Sequence, residues 1–538
     1  MTGRASRACN GCRFRKVRCN GVQPCSQCEH LNLPCEFSAA SAKRKPAVRG
    51  RLVAQLRDKG KNTSPTALAP ATSISRIVDP RDAAHGGDTR FDSVPSPYNS
   101  TSSPYNSVSS PHHSEYPIDF FLGLVPDFEQ VVYPVNPIIS PAEMRIAIQN
   151  MHLSHEDAAL VYAFAAVTIN LTHTSWLQHG DTALQMTDLM HHSLASHRQA
   201  DLDGAVHDGV VGELTITVKR ATTCIFLEIS MMAFKCVDRS FTILREAIAM
   251  IETLNLHLFN AEPGPEKHDI CRRQRLYWEA FIHERFMTII SGKTSILRPL
   301  RTGFPFADPS IPPHVDLGFN RLIQLFAIID DAFIAHWNAQ QDPGLPVPGM
   351  TAQWIESKQA QLDQDEVSAA EAERALSASG RGSLTELQHA DLFVTRLWLR
   401  TLVWQLALSQ GLLRSAPPQN SHQGLSLHFP VQRVSSQLRN LVNRLGSVSS
   451  IGIHGSGILH KLFEITSTIA DVLALPQGPG QRQEDARARM EDFVFLVKFL
   501  FNFERTQKEQ REYLREKLEV LQPMYTVVNF ADLAGSPS

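Results

Sequence analysis

The chain has 538 residues, 43% of them hydrophobic, and a net charge of −2 at pH 7, so most of it can bury a core. Only 20% of the residues are charged, which excludes a highly charged, fully disordered protein. The N-terminus has no apolar signal segment, and no apolar run approaches the ~20 residues of a membrane helix. We therefore expect an intracellular protein with no membrane contact.

The charge is distributed very unevenly along the chain. Residues 1–60 contain thirteen Lys or Arg and three acidic residues, a net charge of +10, and the remaining residues carry −12. A basic segment joined to an acidic body predicts a head that binds a polyanion.

Six of the nine cysteines lie close together near the N-terminus. They are Cys9, Cys12, Cys19, Cys25, Cys28 and Cys35. Their spacing, C-x2-C-x6-C-x5-C-x2-C-x6-C, contains the same half-motif twice, offset by sixteen residues. Three disulfides are disfavoured because a chain without a secretion signal meets a reducing compartment. Cys224, Cys236 and Cys271 are scattered, and we expect them to be small core residues.

The clustered cysteines fit two zinc ions. A structural zinc takes four tetrahedral ligands, so six cysteines serve two ions only if two of them bridge both metals. The first cysteine of each half is the natural candidate for that role. The predicted ligand sets are Cys9, Cys12, Cys19 and Cys25 for one ion, and Cys25, Cys28, Cys35 and Cys9 for the other. No position stays open for water, so we expect a structural site whose folding depends on the metal.

The stretch RACNGCRFRKVRCNGVQPCSQCEHLNLPCEF resembles the fungal Zn(II)2Cys6 binuclear cluster DNA-binding domain in all six cysteines and their spacings. The resemblance implies that the helix after the second cysteine enters the major groove of double-stranded DNA, generally at a CGG-type triplet. By position in the motif, Arg15 and Lys16 correspond to the residues that read bases, and Arg13 and Arg18 to residues near phosphates.

The charges within the cluster agree with that assignment. Arg and Lys donate hydrogen bonds to O6 and N7 of guanine, which suits a GC-rich site. The basic residues are all in the first half of the cluster, whereas the second half has Glu29 and no Lys or Arg. We therefore expect the first half to face DNA.

Two linkers follow residues 1–37. Residues 38–61 remain basic, and Lys43-Arg44-Lys45 fits a nuclear localisation signal, a phosphate-contacting arm or a plain linker. Val48, Leu52 and Leu56 give barely one heptad, so a homodimer, if one forms, is expected to pair through the large domain. Residues 62–116 are rich in Ser and Pro and predict a disordered linker.

From residue 117 to 522 the pattern predicts one large all-α domain, followed by a C-terminal tail at 523–538. Ser140-Pro141-Ala142-Glu143 has the residues of a capping box, and Ser154 is expected to start the next helix. Further helices are predicted near 213–234, 239–256, 270–291, 317–338, 384–411, 430–445, 456–474 and 485–522. His191, His192 and His197 lack a metal-binding spacing and are expected to be solvated.

Part of this domain resembles the fungal-specific transcription factor middle homology domain. The resemblance rests on FTILREAIAMIETLNLHLFN and on CRRQRLYWEAFIHERFMTIISGKTSILRPL. It implies a regulatory rather than a catalytic role. Arg272, Arg273 and Arg275 are more readily explained by ion pairs with the acidic body than by an anionic effector site.

The sequence thus predicts a mostly α protein with a small zinc-cluster head, and a nuclear DNA-binding transcription factor rather than an enzyme. Its expected partners are GC-rich DNA and the transcription machinery, and its expected targets are RNA polymerase II genes of a metabolic pathway or a secondary-metabolite cluster. The alternatives are a repressor or co-regulator of the same family, and an enzyme that uses the zinc head for targeting.

Overall fold

The computed structural model describes most of the second half of the cysteine cluster, the three cysteines of the first half, and most of the helical region. The described residues are 9, 12, 19–31, 35–37, 116–173, 180–203, 206–207, 210–211, 216–254, 267–340, 347–415, 418–445, 449–452, 455–475 and 483–525. The basic linker 38–61, all but the last residue of the Ser/Pro-rich linker 62–116, and most of the tail 523–538 lie outside them.

The described residues form a mostly α-helical fold, which confirms the predicted fold class. The α-helices are α1 Ser26–His30, α2 Ile118–Asp127, α3 Pro141–Asn150, α4 His155–Thr172, α5 Asp181–Asp203, α6 Val218–Ala233, α7 Val237–Thr253, α8 Lys267–Ser291, α9 Pro313–Ala327, α10 Asp331–Ala339, α11 Ala352–Ala378, α12 Glu386–Ser409, α13 Ser435–Arg444, α14 Ser449–Gly452, α15 Gly455–Leu473, α16 Gln483–Phe501 and α17 Lys508–Leu521. Short π-helical turns span Phe128–Val132 and Pro430–Val434, and 3-10 turns span Gln423–Leu425 and Gln522–Met524.

Strands are limited, among the described residues, to one small antiparallel pair. Strand β1 (Val206–His207) pairs with β2 (Val210–Val211), with Val206 opposite Val211. The pair lies in the connection between α5 and α6. In the described part of the chain, no helix combines the length and the apolar character that crossing a membrane requires.

Two helix starts form as their sequences predict. Ser140 caps α3: its hydroxyl accepts from the backbone N–H of Glu143, whose carboxylate accepts from the N–H of Ser140 at 2.9 Å. The hydroxyl of Ser154 accepts from the N–H of Asp157 at the start of α4. Each cap satisfies N–H groups that the first helical turn leaves unpaired.

Helix α4 is apolar on all sides and is almost entirely buried between α5 and α6. A second centre of packing is Trp398 on α12, which is fully buried and lies against Phe286 of α8 and Phe326 of α9. Helix α12 also packs on α11 and α15, so the helical region has a continuous core.

Two predicted helical segments are each two helices in the structure. The segment predicted at 317–338 is two helices, because α9 ends after Ala327 and the carboxylate of Asp330 caps α10 by accepting from the N–H of Phe333. The segment predicted at 485–522 is likewise divided between α16 and α17 by a turn in which the hydroxyl of Thr506 donates to the carbonyl of Leu500. Helices α5 and α11 were not predicted.

Candidate metal centre and nucleic-acid interface

The second half of the cysteine cluster is built around the short helix α1. Cys25 is the N-cap of this helix, and its side chain accepts a hydrogen bond from the backbone N–H of Cys28 at 3.4 Å. The extended backbone of Cys25 directs the chain into the helix, so that C-x2-C places both sulfur atoms on the same side.

The same backbone-to-sulfur pattern occurs in both halves. The N–H of Cys9 points to the sulfur of Cys19 at 3.5 Å, and the N–H of Cys25 points to the sulfur of Cys35 at 3.1 Å. The N–H of Cys12 donates to the sulfur of Cys9, and the N–H of Cys28 donates to the sulfur of Cys25. The internal repeat of the sequence is therefore also a repeat in the structure.

The six sulfur atoms form two groups of four, and within each group all the sulfurs lie within 4.8 Å of one another. The groups are Cys9, Cys12, Cys19 and Cys25, and Cys9, Cys25, Cys28 and Cys35. Cys9 and Cys25 belong to both, and their sulfur atoms are 3.6 Å apart. None of these six cysteines forms a disulfide.

This donor set fits zinc. With Zn–S bonds of about 2.3 Å, ligands at a tetrahedral ion lie about 3.8 Å apart. The sulfur of Cys9 is 3.5 Å from that of Cys28, and the sulfur of Cys12 is 3.4 Å from that of Cys25. Cys9, Cys12, Cys25 and Cys28 are fully buried, whereas Cys19 and Cys35 are partly exposed at the edges of the cluster.

The pKa shifts of the closely spaced thiols also favour a site that holds a cation. Burial raises the pKa of Cys28, and the neighbouring Cys25 and Cys9 raise it further. Burial opposes ionisation of Cys25 as well, but the backbone N–H of Cys28 and the surrounding thiols lower its pKa to about 6. Metal coordination stabilises the thiolate form of each ligand.

The four predicted DNA-contacting residues, Arg13, Arg15, Lys16 and Arg18, lie outside the described residues. The segment that contains them runs from Cys12 to Cys19, and those two cysteines belong to the same four-sulfur group.

The second half of the cluster contacts the helical region. The hydroxyl of Ser415 donates to the backbone carbonyl of Leu31 at 2.5 Å, and Leu31 is buried. The side chain of Gln27 lies against Gly411, where an added Cβ would meet its amide at 2.5 Å. This contact is made by the half of the cluster that has no Lys or Arg.

The arginines of α8 are engaged in ion pairs, as the sequence predicts. Arg272 pairs with Glu143 at 2.6 Å and with Asp269 at 2.7 Å, and Arg273 also pairs with Asp269. Arg275 is buried and pairs with Asp308 at 2.9 Å. The pair with Glu143 joins α8 to α3, and the pair with Asp308 joins α8 to the loop before α9.

A third group of liganding side chains, His197, Cys224 and Glu246, was missed by the sequence analysis. His197 is buried rather than solvated, and its Nε2 lies 3.0 Å from Glu246. Arg198 already donates two hydrogen bonds to Glu246, and burial raises the pKa of the Cys224 thiol. A protonated thiol beside a guanidinium is a poor cation site, so this group is a hydrogen-bond network. Cys224 and Cys271 are buried as expected, whereas Cys236 is exposed.

Comparison with known families agrees with this geometry. Residues 7–45 match the fungal Zn(2)-Cys(6) binuclear cluster domain. The N-terminal part of the chain is therefore a zinc-cluster domain of the fungal type, a class that binds DNA and holds two zinc ions with six cysteines. This confirms the predicted cofactor.

Several curated fungal proteins are similar to the chain. It is 23% identical to the probable sucrose utilization protein of Candida albicans over 271 residues, which are 49% of this chain and 48% of the relative. It is 35% identical to the maltose fermentation regulatory protein of Saccharomyces cerevisiae over 75 residues, 14% of this chain and 16% of the relative. It is 50% identical to the fumonisin cluster-specific transcription factor of Gibberella moniliformis over 36 residues, 7% of this chain and 5% of the relative. The chain thus matches about half the length of the first relative and smaller parts of the others.

Proposed function

We propose that the chain is a nuclear, sequence-specific transcription factor that regulates RNA polymerase II genes. The observation that carries this proposal is the pair of four-sulfur groups that share Cys9 and Cys25. Such a centre is structural, because every ligand position is filled by protein. Its role is to fix the fold of a small segment that has little hydrophobic core of its own.

The ligand assignment that we propose gives each ion one four-sulfur group. One zinc is held by Cys9, Cys12, Cys19 and Cys25, and the other by Cys9, Cys25, Cys28 and Cys35. Cys12 and Cys19 then anchor both ends of segment 13–18 to the same ion, which limits the conformations open to its basic side chains.

Within that segment we propose that Arg15 and Lys16 read the guanines of a CGG-like triplet and that Arg13 and Arg18 contact phosphates. Guanine offers two acceptors, O6 and N7, in the major groove, and Arg and Lys supply the matching donors. The contact of Leu31 with Ser415 supports this orientation, because the half of the cluster without Lys or Arg is the one that contacts the helical region.

The helical region is proposed to be the regulatory domain of this factor rather than an enzyme. The similarity to the sucrose utilization protein extends over 271 residues, far beyond the cluster domain. Lys43-Arg44-Lys45 is proposed as the nuclear import signal, and the helical region as the surface for the transcription machinery and for any homodimer. A repressor or co-regulator would have the same architecture.

For the regulated pathway, the names of two relatives favour sugar utilisation. One is described as a sucrose utilization protein and another as a maltose fermentation regulatory protein. The second candidate is a secondary-metabolite gene cluster, which the fumonisin relative favours, although that match covers only 36 residues.

The proposed reading of DNA is tested by fluorescence anisotropy with the full chain and two duplexes that differ only in a CGG triplet. Replacing Arg15 and Lys16 by Ala should reduce the preference for CGG by about 10- to 100-fold, since each good base contact contributes about 1–3 kcal/mol of discrimination. The matched control replaces Lys43 and Arg44 by Ala, which removes the same charge outside the cluster. That control should weaken binding to both duplexes equally. An unchanged CGG preference in the Arg15/Lys16 variant contradicts the proposal.

A further inference from the structure

A cavity of about 140 Å³ lies inside the helical region, far along the chain from the zinc cluster. Its walls come from α4, α6, α8, α9, α12 and α15, and from the segment after α2. An apolar cavity of about 150 Å³ accommodates benzene. The space therefore suits a small molecule of about the size of benzene, or a somewhat larger one because the cavity is partly open to solvent.

Two polar atoms at this cavity have no hydrogen-bond partner in the structure. They are Oδ1 of Asn170 and Oε2 of Glu279, on side chains that are only 1% and 2% exposed. Buried polar groups are nearly always paired, because desolvation without a hydrogen bond costs free energy. Two such oxygens in the lining of one cavity indicate a ligand that donates hydrogen bonds.

The charges around the cavity nearly cancel. His283 lies between two carboxylates, with Nδ1 2.6 Å from Glu228 and Nε2 3.2 Å from Glu279. Burial alone would lower the pKa of His283, but these carboxylates raise it to about 10, so the ring is positively charged. Burial raises the pKa of Glu279 above its usual value.

The cavity lining carries a second balanced pair. The ammonium of Lys461 lies 3.3 Å from Asp391, and it also stands over the rings of Phe286 and Phe326. With both pairs compensated, a charged ligand would gain no net attraction and would lose its hydration. A neutral molecule avoids that cost.

Much of the remaining lining is apolar. Phe286, Phe326 and Leu322 give one side of the cavity a hydrophobic face. Helix α15 approaches α4 so closely at Gly455 that an added Cβ would lie 2.9 Å from Leu171, and Gly455 has a φ of +67° that favours glycine.

We propose that this cavity binds a small neutral polyhydroxylated molecule of polyol or monosaccharide size, whose hydroxyl groups donate to Asn170 and Glu279 and whose carbon skeleton packs on Phe286 and Phe326. Such a ligand supplies donors without charge and has C–H faces that suit aromatic rings. The binding itself goes beyond the proposed DNA-binding function and does not depend on it.

The test measures binding to the full chain without DNA, by isothermal titration calorimetry. The neutral probes are glycerol, myo-inositol, D-glucose and D-fructose, and the charged comparison probes are D-gluconate and D-glucosamine. At least one neutral probe should bind saturably with a Kd of about 1 mM or tighter, and more tightly than both charged probes. Absence of saturable binding by all four neutral probes, or tighter binding of a charged one, overturns the proposal.

Two variants locate the site. Gly457 lines the cavity, and a Cβ there would meet its nearest neighbour, Phe286, only at 4.0 Å, so Gly457→Ala should fold and should occupy part of the ligand space. It should weaken binding about tenfold or more. Glu279→Gln, which keeps the shape of the side chain, should also weaken binding.

The matched control is Gly123→Ala, because Gly123 is also helical and an added Cβ there has no neighbour within 4 Å. It should leave binding unchanged. If Gly457→Ala and Glu279→Gln both bind the probe as tightly as the wild type, the ligand site is elsewhere and the proposal is wrong. Because no DNA is present, a failure of DNA recognition would not alter this result.

Discussion

The sulfur atoms of Cys9 and Cys25 lie 3.6 Å apart and belong to both four-sulfur groups of the cluster. That separation is close to the edge of a tetrahedron drawn around a zinc ion with bonds of about 2.3 Å. The two cysteines thus form the shared edge of two tetrahedra. Each of these two cysteines is the first cysteine of its half. Each half of the sequence repeat therefore supplies one of the two shared ligands.

Removing one thiolate should unfold the zinc head. In Cys12→Ala or Cys28→Ala one ion keeps three protein ligands, and because the folding of such a small segment depends on metal, DNA binding should fall by at least about 100-fold. The measurements are zinc content and anisotropy with a CGG duplex. Cys236→Ala is the matched control, since Cys236 is exposed and outside the cluster. Specific binding retained by both cluster variants would argue against shared zinc ligands.

Deleting residues 43–51 should weaken DNA binding and flatten its salt dependence. The deletion removes five basic residues, and each lost phosphate contact should reduce the slope of log K against log salt by about 0.9. Deleting residues 66–74, nine uncharged residues of the next linker, controls for the shorter chain. If the two deletion variants have equal slopes of log K against log salt, the basic segment does not contact phosphates and serves only as an import signal or a linker.

The stability of the helical region should fall as pH rises from about 6.5 to about 10. The pKa of His283 is raised from 6.5 to about 10, despite its burial, by Glu228 and Glu279. A raised folded-state pKa means that its stabilising contribution is complete below the unfolded pKa and is lost as pH approaches the folded one. Urea midpoints at pH 6, 7, 8 and 9 measure this loss.

In His283→Gln that part of the pH dependence should disappear. The variant should also be less stable at pH 7 by roughly 3–5 kcal/mol, because two buried carboxylates lose their cation. His155→Gln is the matched control, since His155 is half exposed and pairs with Asp203 at the surface. Identical curves of midpoint against pH for His283→Gln and the wild type would show that the ring is not charged.

The sequence predicts best what depends on local chemistry. Ser140 and Glu143 form their capping box because both partners lie within one helical turn. The zinc cluster could be predicted for the same reason, because its six cysteines are close together in the sequence. The long helix α11 was missed because it is rich in charged and polar residues and buries few apolar ones, among them Ile355 and Leu362.

Features that depend on distant segments could not be predicted. The apolar pattern runs continuously through Ile328 and Ile329, and only the caps of the folded chain show that one helix ends and another begins there. The cavity has no signal in the sequence either, because Asn170, Glu279 and Lys461 belong to three helices that meet only in the folded domain.

The zinc content of the full chain tests the central claim most directly. Native mass spectrometry in the presence of a thiol reductant should show two zinc ions per chain, lost together with specific DNA binding when a chelator is added. A chain that binds its CGG-containing duplex specifically while carrying one zinc ion or none would contradict the account.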